Sequence, residues 1–176
     1  METINILSNS IVKNGVQAII LVNEGTNMFR QEYLLVQDHD DRKRGDGIKR
    51  LGLPGGGIDE GETPYQSIMR ELNEEVALDL KKNYLEQFGC YQKRRPNGCI
   101  NDNYLFTSRL NYKPRLITND PNEVSEVFIL SLIEIISLSA KSVIHEGSIR
   151  LIVHYLNGVR SGSLNEPAIL NGLIKF

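Results

Sequence analysis

The chain has 176 residues and a net charge of −2, with 40% apolar and 24% charged residues. That length fits one domain with a core of its own, and the composition excludes a disordered, collagen-like or low-complexity chain. The balance of 20 Lys plus Arg against 22 Asp plus Glu speaks against duplex DNA, RNA or an anionic membrane as the main partner.

Met1–Ser10 lacks the basic region and apolar run of a signal peptide, and no stretch approaches the ~20 apolar residues of a spanning helix. The expectation is a soluble, cytoplasmic protein, one domain over residues 1–176. Val16–Val22 is rich in branched residues and reads as a buried strand, with Asn14-Gly15 a turn pairing it to Ile11-Val12. Tyr33–Val36 is the next strand. The charged loop from Asp38 to Gly47 has little to bury, and Arg42 and Lys43 stand where a calcium loop needs an oxygen ligand and a glycine. Thr63 to about Leu78 is the clearest helix, with Thr63 as N-cap, Pro64 at the first position and Gln66 completing a capping box.

Leu85–Lys93 and Tyr104–Leu110 are strand-like, with Arg94-Arg95-Pro96-Asn97-Gly98 opening their connection. Val124–Leu130 is a further strand, and Ile133–Leu138 and Ile149–Leu156 are helices. Interleaved strands and helices give an α/β layered domain, with the helices from about residue 131 included in it. Cys90 and Cys99 read as reduced thiols, since no Cys-x-x-Cys is present.

The chemistry concentrates around residues 55–78. On a helical wheel Tyr65, Ile68, Leu72 and Val76 share the core side, and Glu71, Glu74 and Glu75 crowd a neighbouring side. Each like-charged pair costs an isolated helix roughly 0.2–0.5 kcal/mol. Arg70 is the helix's only basic residue before Leu80. Such a group is either a solvated acidic face or a set of hard oxygen ligands for Mg²⁺ or Mn²⁺. Gly55, Gly56 and Gly57 just before it suit a backbone that turns tightly and approaches a metal or phosphate closely.

The segment Gly56–Leu78 resembles the Nudix box, G-x5-E-x7-R-E-U-x-E-E-x-G-U with U aliphatic. Gly56, Glu62, Arg70, Glu71, Leu72, Glu74, Glu75 and Leu78 fall in register, and Leu53-Pro54-Gly55-Gly56 is similar to the family's lead-in. One position departs: Ala77 replaces the glycine that commonly ends the helix in a left-handed conformation. Alanine there costs about 1 kcal/mol, or the helix runs on toward Leu80.

The resemblance implies a Nudix-like α/β/α sandwich with a mixed sheet. It also implies hydrolysis of a nucleoside diphosphate linked to another moiety, with Mg²⁺ or Mn²⁺ as cofactor. Glu74 and Glu75 would be the main metal ligands, Glu71 a ligand or general base, and the Gly56 carbonyl a further ligand. Arg70 and Glu62 would orient the glutamates by pairing. Members often recruit one more acid beyond the box; Glu123 is favoured over Glu126 because it precedes a strand on a loop. Arg50, Arg94 and Arg95 are candidates for substrate phosphate. Two other readings remain: a house-cleaning triphosphate pyrophosphohydrolase, and a nucleotide-binding module without turnover. Dimers are common in similar proteins.

Overall fold

In the computed structural model, which describes residues 13–22, 31–38, 47–80, 84–94, 98–161 and 168–170, the first apolar run is strand β1, Gly15–Val22. Successive side chains of a strand point to opposite faces. Val16, Ala18, Ile20 and Val22 accordingly join one core, and Ile19 and Leu21 the other. A strand buried on both faces reads as a continuous apolar run rather than an alternation.

Strand β2 (Glu32–Asp38) runs antiparallel to β1, and a two-residue strand, β3 (Leu51–Gly52), pairs with the end of β2. β4 (Glu86–Arg94) is antiparallel to β5 (Ile100–Leu110), which lies parallel to β1. β6 (Val124–Ser131) pairs antiparallel with β2, and β7 (Ala168–Leu170) runs parallel to β4. The result is a mixed, seven-stranded sheet.

Helix α1 (Pro64–Val76) covers one face, where Ile68, Leu72 and Val76 meet Val16, Ala18 and Phe106. Helices α2 (Leu132–Ser139) and α3 (Glu146–Ser161) supply Leu132, Ile135, Leu151 and Ile152 to the other face. The expected α/β/α sandwich is therefore present. No helix among the described residues is long and apolar enough to cross a membrane.

Two local expectations change. Gly15 is not a turn residue; it opens β1 opposite Asn103, and a Cβ there would sit 2.7 Å from Asn103 Oδ1. Ile11 and Val12 lie outside the described residues, as does most of the charged 38–47 loop. The second change is at the end of α1, which stops at Val76 rather than Leu78. Ala77 takes the left-handed conformation (φ 50°, ψ 33°), and its amide donates to the Asn73 carbonyl. Of the two alternatives, the chain thus adopts the strained stop.

β3 is too short to hold itself. Its amide at Leu51 donates to Val143 O and its carbonyl accepts from His145 N, both at 2.9 Å. Ser148, buried, accepts from Leu53 N through its hydroxyl at 3.1 Å. The segment between α2 and α3 thereby clamps the strand that leads into the glycine loop.

Candidate active site

Helix α1 starts where its sequence says it should. Thr63 N donates to Gln66 Oε1 at 2.9 Å and Gln66 N to Thr63 Oγ at 3.3 Å, which satisfies two otherwise orphaned amides. The cap orients the helix so that Glu71 and Glu75 turn inward beside the glycine loop. Both residues are only 4% exposed, which excludes a solvated acidic face.

The loop is built to let backbone approach these carboxylates. Gly55 N donates to Glu75 Oε2 at 2.7 Å. Gly55 has φ 137°, and a Cβ there would lie 2.2 Å from Val16 O, so only glycine fits. A Cβ on Gly56 would lie 2.5 Å from Glu71 Oε1. Val16 N and Ala18 N donate to Gly56 O and Pro54 O, each at 2.9 Å, which moors the loop to β1.

Arg70 is the counter-charge of the group. Its Nε donates to Glu62 Oε1 and its Nη1 to both Glu71 Oε1 and Glu74 Oε2, all at 2.9 Å. Its Nη2 reaches Gly57 O at 3.0 Å and Glu62 Oε2 at 3.1 Å. Glu62 also accepts from Asp59 N at 3.0 Å. The guanidinium beside Glu62 brings its carboxyl down to about 2. The same contacts raise Arg70 further above its ordinary value. Glu71 goes the other way: burial pushes it up, the Arg70 charge and hydrogen bond draw it down, and the charges of Glu123 and Glu74 push it up again.

The donor types, carboxylate and carbonyl oxygens, are those a hard divalent cation takes. Glu71, Glu74 and Glu75 lie at neighbouring positions of α1 beside Gly56, and Glu71 and Glu74 each keep one carboxylate oxygen that Arg70 does not take. As they stand, no three acidic, His or Cys side chains among the described residues are placed to hold a metal ion together. Arg70 lies between Glu71 and Glu74, doing part of the neutralising that a cation would do.

The remaining candidates divide. Glu123 ends a turn just before β6, exposed, and its charge reaches Glu71. Glu126 lies within β6 opposite Gln37 and is also exposed. Arg94 is exposed at the end of β4, on the sheet end where β1 and the glycine loop meet, and Arg95 lies outside the described residues. Arg50, expected on substrate phosphate, is instead 3% exposed. Its Nε donates to Ser142 O at 3.0 Å and its Nη1 to Ile48 O at 3.4 Å. Both acceptors are backbone carbonyls, and Ser142 lies in the segment between α2 and α3.

Sequence reasoning missed the segment Thr118-Asn119-Asp120. Asn119 N and Asp120 N donate to Glu74 O at 2.8 and 2.9 Å, and Thr118 Oγ donates to it at 3.1 Å. The run of turn-forming residues from Thr118 to Asn122 was the available signal.

The NUDIX domain family model matches residues 13–151, well over half of the chain. No curated protein matches it. The fold is similar to the NUDIX domain of Shewanella oneidensis NrtR in complex with ADP ribose (TM-score 0.61, 23% identity, 82% of this chain and 86% of that one). It is similar to a bifunctional NMN adenylyltransferase/ADP ribose pyrophosphatase from Francisella tularensis complexed with AMP and a Mn ion (TM-score 0.57, 21% identity, 82% and 41%). It is also similar to a MutT/nudix family protein from Enterococcus faecalis (TM-score 0.55, 22% identity, 68% and 43%). The chain spans less than half of the last two proteins. At these identities the likeness is one of fold.

Proposed function

The chain belongs to the Nudix family; from that premise we propose that it is a pyrophosphohydrolase that cleaves the pyrophosphate of a nucleoside diphosphate linked to another moiety, with ADP-ribose or a sugar nucleotide as substrate. The observation that carries this reading is the burial of Glu71 and Glu75 against the glycine loop, with Arg70 bridging Glu71 and Glu74. Buried carboxylates are costly unless paired or given to a metal.

Glu71, Glu74, Glu75 and the Gly56 carbonyl would hold Mg²⁺ or Mn²⁺. When bound, the ion lowers the pKa of water and offsets charge on the bridging phosphate oxygens. The protein's own part is orientation and proton transfer. Glu62 and Gly57 O fix the guanidinium of Arg70, and Arg70 fixes the carboxylates of Glu71 and Glu74. Glu123 accepts the proton of the attacking water on its carboxylate, from a loop rather than from the crowded helix. Arg94 contacts substrate phosphate. The reading includes a cytoplasmic setting, a nucleotide-type small molecule as partner, no nucleic acid, and a homodimer as the assembled form.

The test is release of nucleoside monophosphate with Mg²⁺ and then Mn²⁺. The panel holds ADP-ribose, sugar nucleotides, dinucleoside polyphosphates and nucleoside triphosphates, with Glu74→Gln alongside. Metal-dependent turnover lost in the variant is the expected result. Preference for triphosphates moves the enzyme to the house-cleaning class. A wild type that binds nucleotides and turns none over refutes the catalytic assignment.

A further inference from the structure

We propose that Asp120 is a positioning residue that brackets Glu123 to the catalytic helix. The inference rests on the assignment of Glu123 made above and goes beyond it, because Asp120 touches neither substrate nor metal in this role.

The bracket begins with a defect at the end of α1. A helix leaves its last carbonyls without partners. Ala77 turns left-handed, so Ala77 N donates to Asn73 O and Leu78 N to Leu72 O. The Glu74 carbonyl is bypassed by both. It is the carbonyl that accepts from Asn119 N, Asp120 N and Thr118 Oγ, while Asn119 Nδ2 adds a bond of 2.9 Å to Asn73 O. The loop therefore plugs the open end of the same turn that carries the carboxylates.

Asp120 then passes this anchor forward. Its carbonyl accepts from Glu123 N at 3.3 Å and Val124 N at 3.1 Å, and its Oδ1 accepts from Asn122 N at 3.0 Å. One residue thus bonds the catalytic helix behind it and the turn bearing Glu123 ahead of it. Glu123 is exposed, and its carboxylate has no hydrogen bond or ion pair with a described residue. Its place depends on the backbone beneath it. Its charge is nonetheless felt at Glu71.

The experiment uses the full chain with Mg²⁺ and ADP-ribose as the probe, and the variants Glu123→Gln, Asp120→Ala, Asp120→Asn and Asp120→Ala with Glu123→Gln. Loss of a base is expected to lower kcat by about 10²-fold or more. Displacing the base by less than an ångström is expected to lower kcat by about tenfold in Asp120→Ala, with KM unchanged. Asp120→Asn keeps an oxygen for Asn122 N and is expected to stay within about twofold of wild type. In the double variant the loss from Asp120→Ala is expected to vanish, since a misplaced base matters only where there is a base.

Amide exchange gives an arm that needs no turnover. Asp120→Ala is expected to speed exchange at Glu123 and Val124 and to leave Ile68–Leu72 unchanged. If Asp120→Ala does not fold, Asn119→Ala carries the same expectations. A slow Glu123→Gln with a normal Asp120→Ala overturns the bracket alone. So do an Asp120→Asn as slow as the alanine variant, a fully additive double variant, or unchanged exchange at Glu123. Glu123→Gln at the wild-type rate overturns the base assignment and the bracket together.

Discussion

Replacing Arg70 by methionine keeps the length of the side chain and removes the fork that joins Glu62, Glu71 and Glu74. Glu62 moves from an ordinary 4.5 to about 2 next to Arg70, a shift that converts to about 3 kcal/mol. Glu62 sits at the rim, so solvent screening reduces its share to about 1 kcal/mol. Glu71 is buried and loses a partner at 2.9 Å, which costs about 1–2 kcal/mol more once it takes up a proton rather than stay charged. The sum is about 2–3 kcal/mol, or a fall in Tm of roughly 5–10 °C.

The two carboxyls also predict how the loss varies with pH. Glu62 is depressed, so its contribution is present above 4.5 and lost as pH falls through about 2. Between pH 7 and pH 5 it stays whole in the wild type and absent in Arg70→Met. Glu71 is raised, so its protonated form favours the folded state, and that contribution is lost as pH rises through its folded value. Without Arg70 it rises further. The deficit of the variant should therefore shrink from pH 7 to pH 5. Urea unfolding without metal at both pH values measures it. A deficit below about 0.5 kcal/mol, or one that grows on acidification, refutes the reasoning.

Three further outcomes follow from single features. Ala77→Gly relieves the left-handed alanine and is expected to raise stability by about 0.5–1 kcal/mol without changing activity, read by thermal unfolding. Gly55→Ala drives a Cβ to within 2.2 Å of Val16 O and is expected to cost about 3 kcal/mol or more, read by the same method. Chelation is expected to abolish turnover and added Mn²⁺ to restore it. Saturating Mn²⁺ should also raise the wild-type Tm by roughly 5–10 °C and leave that of Glu75→Gln nearly unmoved.

Helix α1 was legible because all its signals are local: a cap, a proline, a glutamine three residues on, and a 3.6-residue apolar period. The carboxylate cluster was legible because three like charges on one turn have few stable explanations. Its end is not settled by the sequence, since a left-handed alanine costs only about 1 kcal/mol. Arg50 is a different case, a cation whose side chain is buried. A cation in sequence looks the same whether it meets phosphate or a carbonyl 92 residues away, as the Ser142 carbonyl is. The Thr118–Glu74 bond likewise spans 44 residues, and no local pattern names such a partner. Tertiary hydrogen bonds to backbone are the part of a site least written in residue types.

The clamp on β3 has a consequence for the order in which the protein is made. The glycine loop is synthesised with the first third of the chain, yet the groups that hold the strand leading into it are Val143, His145 and Ser148. Domains fold as the ribosome delivers them, at about 5–20 residues per second. A nascent chain that ends before Val143 already carries every glutamate of the box and lacks the tether that fixes the loop beside them. The site is thus spelled early and assembled late, so a ribosome stalled near residue 140 would display the motif without the shape.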